Sequence, residues 1–236
     1  MKRLFSLTIG AVLCMCAFAQ SLQLGVGQVT YSYPAAQAGE MVFAEGTLLT
    51  IAGGTFNIHT YDDGLNSSSN LYITGGDLTV FSSTCDAIDS NAGIAISGGV
   101  TRAFAPTNSE GGVDASDETG NTVKVTGGTL IAIGGRNSSL GSGSQPYITR
   151  SSSVTAGATF SLLSGSTTLL TCDIPSDYSS TGGGSPFSPF ALQHAGGGNK
   201  PGSTSGSGLI ISCPELVSGS SYTLTIGSTS SSVTAK

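Results

Sequence analysis

Between Leu49 and Ile133 the apolar residues fall on alternate positions in short runs, and the runs recur. The phrase apolar-x-apolar-x-Gly-Gly is written as "LTIAGGT" from Leu49, "LYITGGD" from Leu71, "IAISGGV" from Ile94 and "VKVTGGT" from Val123. Its Gly pairs begin at 53, 75, 98 and 127, so the spacings are 22, 23 and 29 residues. Alternation with period two marks strands with one face in and one face out. A repeat of this length without a helical stretch predicts an all-β chain of stacked coils, a parallel β-solenoid. The last spacing is longer because "APTNSEGGVDASDETGN" carries an insertion.

The same alternation predicts which positions face inward. Leu49, Leu71, Ile94 and Val123 form one expected ladder, and Ile51, Ile73, Ile96 and Val125 a second. Beyond each Gly pair, Phe56, Leu78, Thr101 and Leu130 form a third, with Ile58, Val80, Ala103 and Ala132 beside it. Leu65, Ile88 and Val113 add an inward position at the turn that precedes each phrase. The Gly pairs mark corners where a side chain would obstruct the bend or where φ must be positive. The phrases give about three to four coils, and a stack that short needs both open ends covered. The outward positions His59, Phe81, Phe104 and Ile133 line up as well, and two readings compete for them: a sugar-stacking face, or a surface covered by the C-terminal region.

The coil region is expected to span 20–133, with "GQVTYSYPAAQAGEMVFAEGT" as a first cap or partial coil and 134–236 as a β-rich C-terminal cap. Within that cap, "ATFSLLSGSTTLLTCDIP" reads as a hairpin around Ser164-Gly165-Ser166, and "GLIISCPELVSGSSYTLTIG" as a further strand pair. The Gly/Ser/Pro-rich stretch 176–208 reads as a loop.

The acids follow the same frame. Asp63-Gly64-Leu65-Asn66-Ser67 returns as Asp86-Ala87-Ile88-Asp89-Ser90, and again in part as Gly111 to Asp114. Nine of the fourteen acids lie between Asp62 and Glu118, while Lys and Arg together number only 8. Equivalent residues in adjacent coils sit roughly 4.8 Å apart. A Ca²⁺ ion binds oxygens at roughly 2.3–2.6 Å, so one ion fits between two stacked carboxylates. The candidate ligands are Asp63, Asn66, Asp86, Asp89, Glu110 and Asp114, with Asp62 and Asp117 flanking. Hard oxygen donors without a His or Cys cluster point to calcium rather than zinc. Turn chemistry alone is the competing explanation, since Asp, Asn and Gly favour turns for local reasons.

The remaining features bound the setting. Lys2 and Arg3, the apolar stretch Leu4 to Cys16 and the Ala17-Phe18-Ala19 site read as a signal peptide over 1–19, too short to anchor in a bilayer. Cleavage leaves 236 − 19 = 217 residues, expected outside the cytoplasm: secreted, periplasmic or at the cell surface, with no transmembrane segment. The net charge of −6 becomes −8 without Lys2 and Arg3, which argues against nucleic acid as a partner. Cys172 and Cys213, both in strand-like runs, read either as a disulfide or as two buried thiols. Cys85, next to Asp86, is a poor nucleophile candidate, because a neighbouring anion disfavours the thiolate. His59 and His194 lie in different regions, and no phosphate-loop motif occurs.

The stretch "GGTFNIHTYDDGLNSSSNLYITGGDLTVFSSTCDAIDSNAGIAISGG", the later "EGGVDAS" and "VTGGTLIAIGG", and the closing "LIISCPELVSGSSYTLTIG" resemble secreted bacterial carbohydrate-binding domain-containing proteins. The resemblance covers most of 45–136 and 208–227. It implies a right-handed parallel β-helix similar to that of polysaccharide lyases, with calcium held by the coils at Asp63, Asn66, Asp86, Asp89 and Asp114. It also implies a plant-type or acidic polysaccharide as partner, with calcium bridging uronate carboxylates. The alternatives are a polysaccharide lyase acting on uronate polymers, with Arg102 or Lys124 as the basic residue, and a structural or adhesive surface protein.

Overall fold

A computed structural model describes residues 11–13, 21–26, 29–34, 42–43, 49–106, 110–116, 119–151, 154–176, 178 and 207–236 of the chain. It is all-β, with no α-helix among these residues. The N-terminal strands are β1 (Ala11–Leu13), β2 (Ser21–Val26), β3 (Val29–Pro34) and β4 (Val42–Phe43). The repeat supplies β5 (Leu49–Ile51), β6 (Thr55–Thr60), β7 (Leu65–Ser67), β8 (Leu71–Ile73), β9 (Asp77–Ser82), β10 (Ile88–Ser90), β11 (Ile94–Ile96), β12 (Val100–Phe104), β13 (Val113–Asp114) and β14 (Val123–Val125). The rest are β15 (Thr129–Asn137), β16 (Tyr147–Arg150), β17 (Thr159–Ser164), β18 (Thr167–Asp173), β19 (Ser207–Ser212), β20 (Ser221–Ile226) and β21 (Thr229–Thr234).

The repeat strands pair in parallel with their counterparts one repeat away. Leu49, Leu71, Ile94 and Val123 are in register across β5, β8, β11 and β14. The turn strands do the same, with Leu65, Ile88 and Val113 aligned across β7, β10 and β13. In the third sheet β6, β9, β12 and β15 align Phe56, Leu78, Thr101 and Leu130. These ladders form one apolar cluster, as the alternation requires. Ile58 is only partly buried, whereas its column mates Val80, Ala103 and Ala132 are fully enclosed. Thr101 is the polar member of its ladder; it is fully buried and its hydroxyl has no hydrogen-bond partner among the described residues.

The C-terminal region covers Phe81, Phe104 and Ile133 of the outward column, whereas His59 is exposed. A four-stranded antiparallel sheet runs in the order β18-β17-β20-β21. Its Phe160, Leu162, Tyr222 and Leu224 share a second core with Phe81, Phe104 and Ile133 from the outer face of the sheet that contains β6, β9, β12 and β15. The predicted hairpin is β17–β18. The predicted strand pair in "GLIISCPELVSGSSYTLTIG" is not formed. Strand β19 instead lies antiparallel between β15 and β16, while β20 pairs with β17 and β21. Burial explains the separation: Ile210 points into the core of the repeat region, while Leu209 and Ile211 point into the outer core. A strand apolar on both faces belongs between two layers. Cys172 and Cys213 are buried free thiols in the outer core, so of the two readings the described structure contains the thiols.

The stacked pairing does not end where the sequence phrase ends. Strand β15 runs through position 134, and the chain then adds one more rung. Ser138 N–H donates to the Val113 carbonyl at 2.9 Å, Gly141 N–H to Val123 at 2.8 Å and Gln145 N–H to Val125 at 2.6 Å. In the other direction side chains replace backbone acceptors. Asn137 Oδ1 accepts from Val113 N–H at 3.1 Å, Ser138 Oγ from Ala115 N–H at 2.9 Å and Ser144 Oγ from Val125 N–H at 3.2 Å. The last repeat therefore presents satisfied groups where an open edge would offer unpaired ones. Asn137→Ala leaves a buried N–H without its acceptor, which costs about 1–3 kcal/mol. We expect a lower urea midpoint at unchanged m-value for that variant; an unchanged midpoint removes Asn137 from the seal.

Ala11–Leu13 fall inside the segment read as a signal, where they pair in parallel with β5 and antiparallel with β2. The cleavage site Ala17–Ala19 lies outside the described residues, as does nearly all of the 176–208 loop. No helix among the described residues is long and apolar enough to cross a membrane.

Candidate metal centre

The acidic turns sit on the sheet β13-β10-β7-β4 and the corner that leads into it. Pairing there is in register: Asn66 stands opposite Asp89, and Asp89 opposite Asp114. The corners align too, since Gly64 N–H donates to the Asp86 carbonyl at 3.1 Å and Ala87 N–H to that of Gly111 at 3.0 Å. The predicted column Asp63/Asn66, Asp86/Asp89, Gly111/Asp114 is therefore a column in space.

The structure divides it into parts. Asp86, Asp89 and Asp114 bring one carboxylate oxygen each within 4.8 Å of one another, with Asp86 and Asp114 buried and Asp89 half-buried. Asp63 and Asn66 form a separate pair, in which Asn66 Nδ2 donates to Asp63 Oδ2 at 2.8 Å. Asp63 groups instead with Asp62 and Cys85. Glu110 belongs to neither group; its carbonyl oxygen accepts from Gly135 N–H at 2.7 Å and Arg136 N–H at 3.1 Å. Asp117 lies outside the described residues.

Each first acid also has work in the fold. Asp63 Oδ1 accepts the Asp86 N–H at 3.1 Å, and Asp86 Oδ1 repeats the contact one coil on with Gly111 N–H. Asp114 Oδ1 accepts from Ser116 N–H at 3.0 Å and from the Ser138 hydroxyl at 3.1 Å. Local turn chemistry thus accounts for part of the recurrence. Ser67 and Ser90, fully buried at the following corner, take N–H bonds from Ser69 and Ala92. Their role was invisible in a Ser-rich sequence. So was that of Arg136, whose backbone the extra rung brings against the column beside Glu110 and Gly111.

The donor set suits a hard cation. Three carboxylate oxygens within 4.8 Å of one another are close enough to share one ion. Cys85 does not add a soft ligand to the neighbouring group. Burial, reinforced by a hydrogen bond with Asp62, pushes its thiol up to about 12, so it stays protonated.

Burial raises Asp63 from an ordinary 3.8 to about 6, opposed by the Asn66 hydrogen bond and reinforced by the charge of Asp62. The folded chain then holds this proton more firmly than the unfolded chain. Its contribution favours folding at low pH and is lost as pH rises from about 3.8 through about 6. In metal-free protein, the melting temperature of wild type relative to Asp63→Asn should fall across that window. A constant difference would mean that Asp63 ionises normally.

Arg102 forms an ion pair with Asp77, at 26% and 54% side-chain exposure, on the coil sheet that carries the outer cap. Lys124 stands opposite Ala95 in the sheet of β14 and β11. Neither belongs to the sheet that carries the acids. Comparison of the chain with protein-family models, curated proteins and solved structures finds no match.

Proposed function

We propose that this chain is an exported, calcium-dependent carbohydrate-binding protein built as a right-handed parallel β-helix. The observation that carries the reading is the convergence of Asp86, Asp89 and Asp114 from successive rungs, with ligand oxygens within 4.8 Å. In-register parallel pairing of the repeat strands supports the β-helix. The polysaccharide partner rests on the resemblance of the repeat phrase and its acidic turn to carbohydrate-binding proteins of that architecture. Calcium at the column would be held by those three carboxylates, and an ion with open coordination positions can also take a carboxylate from an acidic sugar.

Affinity electrophoresis in gels containing polygalacturonate tests this. Retardation that requires calcium, and that is lost in an Asp86→Asn/Asp89→Asn variant, is the expected result. Equal mobility with and without polymer would remove acidic polysaccharide as the partner. The lyase alternative needs a base at the column, and Arg136 is the basic residue whose backbone adjoins it. Unsaturated product absorbing in the ultraviolet after incubation with polygalacturonate would favour that alternative. Self-association without glycan binding would favour a structural or adhesive role.

A further inference from the structure

We draw no further inference here: the strongest candidate, the hydroxyl-bearing outer face of the C-terminal four-stranded sheet along the row Thr171, Ser161, Thr225 and Ser230, is an exposed sheet face, and nothing in the structure shows what covers it.

Discussion

Calcium should raise the melting temperature of chelator-treated protein, and the Asp86→Asn/Asp89→Asn variant should lose most of that rise. The choice of Asn separates two roles of Asp86. Its Oδ1 accepts the Gly111 N–H, and an amide oxygen can still do so. What the amide removes is the charge that a cation requires. An ion that binds only the folded chain at a hundredfold excess over its Kd stabilises it by about 2.7 kcal/mol. For a chain of this size that corresponds to roughly 5–10 °C. Without calcium the variant should melt at or above wild type, because two like charges have left a crowded, partly buried cluster. A calcium-dependent rise of the same size in both proteins would place the ion elsewhere.

Gly99→Ala should be among the most damaging single substitutions in the repeat region. Gly99 has φ +75°, a conformation that costs a residue with a side chain about 1–2 kcal/mol. The added methyl would lie 2.7 Å from the Gly75 carbonyl carbon and 2.8 Å from the Gly76 nitrogen, and closer still to the Gly76 carbonyl oxygen. Those atoms are backbone of the preceding repeat, so relief requires the two repeats to separate where Val100 N–H bonds to the Gly76 carbonyl. Overpacking of this kind adds about 1–3 kcal/mol, for a total of roughly 2–5 kcal/mol. A domain stable by about 5–15 kcal/mol loses a large share of its margin. Gly53→Ala is the matched control: a methyl there meets nothing within 4 Å. Urea denaturation of the two variants should show a large drop in midpoint for Gly99→Ala and almost none for Gly53→Ala. Equal midpoints would mean that neighbouring repeats are not packed through their glycine turns.

The interior of the repeat region was legible because one rule governs it. Period-two alternation fixes the face, and the repeat fixes the register, so Leu71 could be matched to Leu49 and Ile94 before any coordinates. Alternation placed Phe81 and Phe104 on the outer face but left a sugar-stacking face and a covered surface both open; the structure covers them with the C-terminal sheet. The placing of β19 did not follow. An unbroken apolar run shows that both faces are buried, but not which strand lies beside it, and β15 precedes it by some seventy residues. The seal at the last coil was hidden for another reason. Asn137, Ser138 and Ser144 work through side-chain oxygens that take the place of backbone carbonyls. Neither hydropathy nor spacing distinguishes them from the exposed serines around them.

The acidic site was legible as a column but not as a division of labour. Repetition placed Asn66, Asp89 and Asp114 in one file. It gave no sign that Asn66 would turn to Asp63, or that Glu110 would face the extra rung through its backbone. Those contacts depend on the corner geometry and on residues 134–138, which carry none of the repeat phrase.

A calorimetric titration of calcium into chelator-treated protein, wild type beside Asp86→Asn/Asp89→Asn, tests the central claim most directly. The account predicts saturable binding to wild type and loss of that heat in the variant, with both proteins folded. Absence of heat in wild type, or identical isotherms for the two, would contradict it and leave the acids as caps for the turns they occupy.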